Sequence, residues 1–243
     1  MQIAIVVYPG MTALDVIGPY ELLHTITGAE LRFVWHEPGP IVADSGVLVL
    51  AATHSFDETP SPDLVLVGGS MASTVRTAAD ERLQAWLRQV HATSTWTVSV
   101  CSGSVLLAAA GLLEGRSATS HWAALPLLRT HGAKPVGDQR IVRDGKIVTA
   151  AGVSAGLDLA LWLYGEIEGR DRAEAAQLLI EYDPQPPFDS GRLSKASAAT
   201  KARAGALAKR LISRQELTGE AVAISKVLWT NMIDRVRGLR TRH

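Results

Sequence analysis

One cysteine and one aspartate carry most of the chemistry that this sequence can offer. Cys101 follows the β-branched run Trp96-Thr97-Val98-Ser99-Val100 and precedes Ser102-Gly103-Ser104 and the apolar Val105-Leu106-Leu107-Ala108-Ala109-Ala110. The alternation before the cysteine predicts a strand, and the small residues after it suit a helix start. Ser99-x-Cys101-x-Gly103 has the outline of a nucleophile elbow, a tight strand-to-helix turn that lifts one side chain above a sheet. There the unpaired N–H groups and partial positive charge of a helix terminus would favour thiolate over thiol. They could also hold an anion formed during a reaction. The alternative is a cysteine packed as a small hydrophobe, the commoner fate of a free thiol.

The remaining candidates also fall at predicted strand ends. Gln2 to Tyr8 is a near-continuous apolar strand broken by Pro9-Gly10, and a helix is predicted over Pro19 to Ile26, which places Asp15 in the intervening loop. An aspartate there is either an N-cap or a site residue, since open α/β sheets bind ligands at this edge. Asp63 to Val67 forms another strand, ending at Gly68-Gly69-Ser70, where backbone amides could approach a ligand; a plain turn is the other reading. His121 lies twenty residues after Cys101, too far for spacing alone to bring them together, and reads as a structural histidine. Ala151-Gly152-Val153-Ser154-Ala155-Gly156 opens a helix over Leu157 to Glu168 with side chains small enough to pack close to a site.

These points need a scaffold, and the rest of the chain supplies its elements. Leu31 to Trp35 is a strand, Asp44-Ser45-Gly46 joins Ile41-Val42 to Val47–Leu50 as a hairpin, and Leu83, Trp86, Leu87 and Val90 mark a helix over Asp80 to His91. Ser117 to Ser120 is a short strand before a helix ending near Gly132. Arg143 to Lys146 turns between Gln139–Val142 and Ile147–Ala150, and a further helix spans Ala173 to Glu181. Strands alternating with helices argue an α/β fold with a mostly parallel sheet covered on both faces.

Of the 243 residues, 47% are hydrophobic and 20% charged, which allows a substantial core and excludes disorder. A lone cysteine excludes an intramolecular disulfide framework and fits a reducing, cytoplasmic setting. No apolar run has transmembrane length, and the first residues lack the basic flank of a signal peptide. No His/Cys cluster has metal-ligand spacing. From Arg192 to His243 twelve Lys and Arg face three acids, on helices expected over Ala202 to Leu217 and Glu220 to Leu239. Their spread charge and single aromatic, Trp229, argue a solvated or docking face rather than a nucleic-acid surface.

Six segments together resemble the ThiJ/PfpI superfamily, and within it the bacterial isocyanide hydratases. They are Leu14-Asp15-x-x-Gly18-Pro19, Trp35-x-Glu37-Pro38-Gly39-Pro40, Ser99 to Ser104, Ala118 to Trp122, Ala155-Gly156-Leu157-Asp158, and Glu181-Tyr182-Asp183-Pro184-x-Pro186-Pro187-Phe188. The resemblance implies a flavodoxin-like three-layer sandwich over 1–190 and leaves 191–243 as a basic helical extension, longer than the hydratases need. It implies water addition to an isocyanide with no metal or organic cofactor. Cys101 would be the nucleophile and Asp15 the proton carrier. Ser102, Gly69, Ser70, Ala151 and Val153 would orient substrate or water, with His121 secondary. A homodimer acting on a small molecule is implied, with no nucleic-acid or membrane partner. Ser102 stands where the hydratases have threonine, and Ala150-Ala151-Gly152 where they have three glycines, changes that bear on pocket shape. A cofactor-free glyoxalase or deglycase would use the same Cys101 and acid, and an oxidation sensor the same Cys101. A regulator would need a DNA-binding module larger than the segment after Gly191.

Overall fold

The computed structural model describes residues 1–212. A seven-stranded sheet forms its centre. It contains β1 (Gln2–Val6), β2 (Glu30–Trp35), β5 (His54–Ser55), β6 (Leu64–Val67), β7 (Trp96–Val100), β10 (Ile141–Asp144) and β11 (Ile147–Ala150). The spatial order is β10-β11-β7-β6-β1-β2-β5, and every neighbouring pair is parallel except the β10–β11 hairpin at one edge. All residues of β6, β7 and β11 are buried, as expected for strands covered on both faces. Two small ribbons flank the sheet: β3 (Gly39–Val42) with β4 (Val49–Ala52), and β8 (Ser117–Ala118) with β9 (Lys134–Pro135).

The helices divide into two layers. α1 (Leu14–Leu23), α6 (Ala155–Glu168) and α7 (Arg170–Leu179) pack together on one side. α2 (Thr74–Ala78), α3 (Glu81–Thr93), α4 (Gly103–Ala109) and α5 (Leu125–Thr130) pack on the other. The result is the three-layer α/β sandwich expected from the sequence. The apolar stripe of α3 (Leu83, Trp86, Leu87, Val90) is buried, and Asp80 caps the helix by accepting from the Leu83 N–H at 2.9 Å. No described helix is long and apolar enough to cross a membrane.

Several boundaries differ from the sequence reading. The first helix begins at Leu14, so Pro19 lies inside it and Asp15 sits in its first turn rather than in a loop. A proline inside a helix loses one backbone hydrogen bond. Here its ring packs where a side chain on Gly156 would stand, 3.2 Å from such a Cβ, so the proline serves the α1–α6 contact. The short α2, β5 and β9 have too few residues to show a period. After a loop over 180–197, a helix starts at residue 198 and continues to 212, the last residue described; the expected helix over Glu220 to Leu239 lies outside these residues.

Two glycines show opposite constraints. A Cβ on Gly103 would stand 2.1 Å from the Val67 carbonyl oxygen, so the first turn of α4 lies directly against β6. A Cβ on Gly165, inside α6, meets only the Ala173 side chain at 3.7 Å, an ordinary contact. Gly103→Ala is therefore expected to destabilise by about 1–3 kcal/mol or more. Gly165→Ala should stabilise by about 0.5–1 kcal/mol through the entropy of the unfolded chain. Urea-denaturation midpoints of the two variants check both signs.

Candidate functional site

The carboxyl ends of β1, β6, β7 and β11 lie side by side, and each delivers one part of a site. After β7 the chain turns at Cys101 with φ +58°, a left-handed conformation that non-glycine residues rarely adopt. Such a residue costs on the order of 1–3 kcal/mol and persists only where its surroundings determine it. Here they do. The Cys101 N–H donates to the carbonyls of Ala151 at 2.8 Å and Ala150 at 3.2 Å, just past β11. The Ser120 hydroxyl donates to the Cys101 carbonyl at 3.0 Å, and Ser104 does so at 3.3 Å. Both faces of the elbow peptide are thus held from outside the turn.

Asp15 is completely buried. Its Oδ2 accepts from the Gly69 N–H at 2.8 Å, while Oδ1 has no hydrogen-bond partner. Gly69 must be glycine to allow this. A Cβ there would stand 2.5 Å from the Ser102 nitrogen and 3.0 Å from Asp15 Oδ2. Burial raises the Asp15 pKa from 3.8 to about 7, opposed by the Gly69 N–H and by a hydrogen bond from the Cys101 thiol. Burial, followed by the charge of Asp15, pushes the Cys101 thiol up, against the Ser102 N–H that faces the sulfur. The expected depression of the cysteine pKa by a helix terminus is therefore reversed. α4 is only seven residues long, and desolvation beside a carboxylate outweighs its terminal charge. Cys101 and Asp15 thus influence each other's ionisation.

The other expected residues surround this pair, some in different roles. The Ser102 hydroxyl accepts from the Ser70 N–H at 3.0 Å and lies 2.7 Å from the Thr74 hydroxyl, so it braces the loop after β6. The Ser70 hydroxyl donates to the Gly10 carbonyl at 2.5 Å and accepts from Ser73 N–H at 2.8 Å. The Gly69 and Ser70 amides are therefore directed at Asp15 and Ser102 rather than into open space. Ala151 acts through its carbonyl on Cys101, and Val153 lines the pocket. His121 lies on the pocket wall, its pKa lowered by burial, with Nδ1 3.4 Å from the Ala123 nitrogen.

The pocket above the sulfur has a volume of about 210 Å³. Met71, Val75, Trp122, Leu127 and Val153 give it an apolar wall, and no Asp, Glu, Lys or Arg among the described residues lines it. Ser120, Thr74 and Met71 were not singled out from the sequence. Ser120 acts through a backbone carbonyl, and Thr74 belongs to a helix too short to announce itself. The described residues contain no group of three His, Cys, Asp or Glu that could hold a metal ion.

The raised Asp15 pKa sets the direction of a stability change. The folded state keeps a proton that the unfolded carboxyl releases near pH 4, so stability declines as pH rises from about 4 to about 7 and then levels. Moving the pKa from 3.8 to about 7 corresponds to at most about 4 kcal/mol. Asp15→Asn cannot titrate, so its stability relative to wild type should increase across that window. Urea denaturation of both proteins at pH 4, 6 and 8 measures the gap, and a constant difference would contradict the assignment.

Comparison with known proteins identifies the family. Residues 1–165 match the DJ-1/PfpI family. Isonitrile hydratase of Pseudomonas putida is 40% identical over 225 residues, covering 92% of this chain and 97% of that protein. Such coverage carries the match well beyond residue 190, so the extension is largely shared with a hydratase rather than added to one. A ThiJ/PfpI family crystal structure from Pseudomonas syringae superposes with a TM-score of 0.82 at 36% identity, covering 89% of each chain. The HTH-type transcriptional regulator CdhR of Pseudomonas aeruginosa is 28% identical over 78% of this chain, which spans only 57% of that regulator. With an elbow cysteine, a buried acid and a family match over two thirds of its length, the chain belongs to the DJ-1/PfpI family.

Proposed function

We propose that this protein is an isocyanide hydratase, adding water to R–N≡C to give the formamide R–NH–CHO. The observation that carries the reading is a buried thiol that lines the pocket and interacts with a fully buried carboxyl. The apolar wall suits an uncharged, largely apolar substrate. The 40% identity to a hydratase along nearly its whole length points the same way.

A proton passed between Cys101 and Asp15 gives the reaction its order. Asp15 takes the Cys101 proton as the sulfur attacks the terminal carbon, then delivers it to that carbon, leaving the thioimidate R–N=CH–S–Cys101. An acid with pKa about 7 can do both near neutrality, which an ordinary aspartate cannot. Water then adds across the C=N bond, its oxygen to carbon and one proton to nitrogen, with Asp15 as base. Collapse of R–NH–CH(OH)–S–Cys101 forms the C=O bond and returns the thiol, so the net change is one water added. Ser102, Gly69, Ser70 and Ala151 act in this scheme as positioning residues, while Val153 and His121 face the substrate. The scheme requires no metal or organic cofactor, and the homodimer implied by the resemblance is retained with it.

Cys101→Ala should abolish formamide production from an alkyl and an aryl isocyanide, and Asp15→Asn should lower kcat/KM by about 100-fold or more. The wild-type kcat/KM profile should show an inflection near pH 7. Turnover of methylglyoxal exceeding that of both isocyanides would overturn the reading in favour of carbonyl chemistry.

A further inference from the structure

The segment after residue 190 takes part in this pocket. Between residues 201 and 212 only Ala208 and Ile212 are partly buried; the intervening side chains are exposed. Those two residues are four apart, one above the other on a single helix face, and both line the cavity over Cys101. Leu207 and Leu211, their neighbours in sequence, are 52% and 39% exposed. The helix thus touches the pocket along a narrow stripe and leaves its basic residues Arg203 and Arg210 in solvent.

We propose that this helix forms the outer wall of the reaction pocket, and that Ala208 and Ile212 set the size of the apolar group a substrate carries. The proposal rests on the hydratase reading for its substrates but not for its geometry. Volume makes it quantitative. A dry cavity of about 150 Å³ holds a benzene molecule, so about 210 Å³ accommodates one ring with its isocyanide group, and the fit of a second ring depends on the wall. The opposite walls, Leu127 on α5 and Val153 ahead of α6, belong to the core scaffold, whereas the 198–212 helix rests on it from outside. A methylene's worth of space in an apolar pocket changes discrimination by about 10–200-fold, so single substitutions on this stripe are sufficient to read the effect.

The test compares wild type with Ala208→Phe, Ile212→Ala and, away from the stripe, Arg210→Ala, each as the full chain. kcat/KM is measured for tert-butyl, cyclohexyl and 2-naphthyl isocyanide. Ala208→Phe should lower the cyclohexyl-to-tert-butyl ratio at least tenfold, and Ile212→Ala should raise the naphthyl-to-tert-butyl ratio at least fivefold. Arg210→Ala should leave both ratios as in wild type. Unchanged ratios in the two stripe variants, or equal changes in Arg210→Ala, would overturn the proposal. If the wild type converts no isocyanide, the hydratase reading fails and the wall is read independently. Cys101 is the sole cysteine, so its alkylation rates with N-methylmaleimide and N-phenylmaleimide report access through the same opening. Ala208→Phe should then lower the phenyl-to-methyl rate ratio and Ile212→Ala raise it; identical ratios in all variants would remove the helix from the pocket.

Discussion

The site depends on holding a carboxyl and a thiol out of water against each other. Left alone in an apolar interior, an aspartate would be strongly destabilising as an anion, and the protein provides its Oδ2 with a single strong donor, the Gly69 N–H. Burial is the larger effect and raises the Asp15 pKa to about 7, while the Gly69 N–H and the Cys101 thiol pull it back down. The same burial, with the charge of Asp15, pushes the Cys101 thiol pKa up.

Most of the surrounding structure follows from that requirement. The Gly69 amide reaches Asp15 only because no Cβ intervenes, and α4 reaches β6 only because Gly103 has none. The left-handed turn at Cys101 is offset by donors and acceptors from β11's exit and from Ser120, elements that lie far apart in sequence. Ser70, Thr74 and Ser102 lock the loop after β6 to the elbow, so the Gly69 amide cannot drift from its carboxylate. The sequence reading gave Ser70 and Ser102 a substrate- or water-orienting role. In the folded chain their hydroxyls also hold the loop amides in register.

Sequence patterns revealed the scaffold because strands buried on both faces and helices with one apolar face leave periodic traces. β6, β7 and α3 were readable for that reason, and the elbow was visible in the spacing of Ser99, Cys101 and Gly103. Asp15 was identified but misplaced, because Pro19 marks a helix start by local preference and only the close pairing with Gly156 explains its place inside α1. The direction of the Cys101 pKa shift was inverted for a related reason. A helix terminus is a local feature that can be read from neighbours in sequence, whereas burial beside Asp15 is a property of the folded pocket. The contribution of Ala208 and Ile212 left no trace, since two small or apolar residues in a basic helix look like an ordinary solvated face.

That division has a physical logic. Cys101 turns off the end of β7 and Asp15 lies in the first turn of α1 against the Gly69 amide, and the hydrogen bonds around Cys101 come from its neighbours in the sheet or from loops braced to it. The pocket's outer wall comes instead from a helix held by a narrow stripe. Changes in its side chains alter the space above the sulfur without disturbing the donors beneath it. A fold arranged this way can keep one acid–thiol pair while its accepted substrates vary, which is how a single family can contain members of different activity. Chemistry and selectivity are thereby placed on parts of the chain that differ in how tightly the fold constrains them.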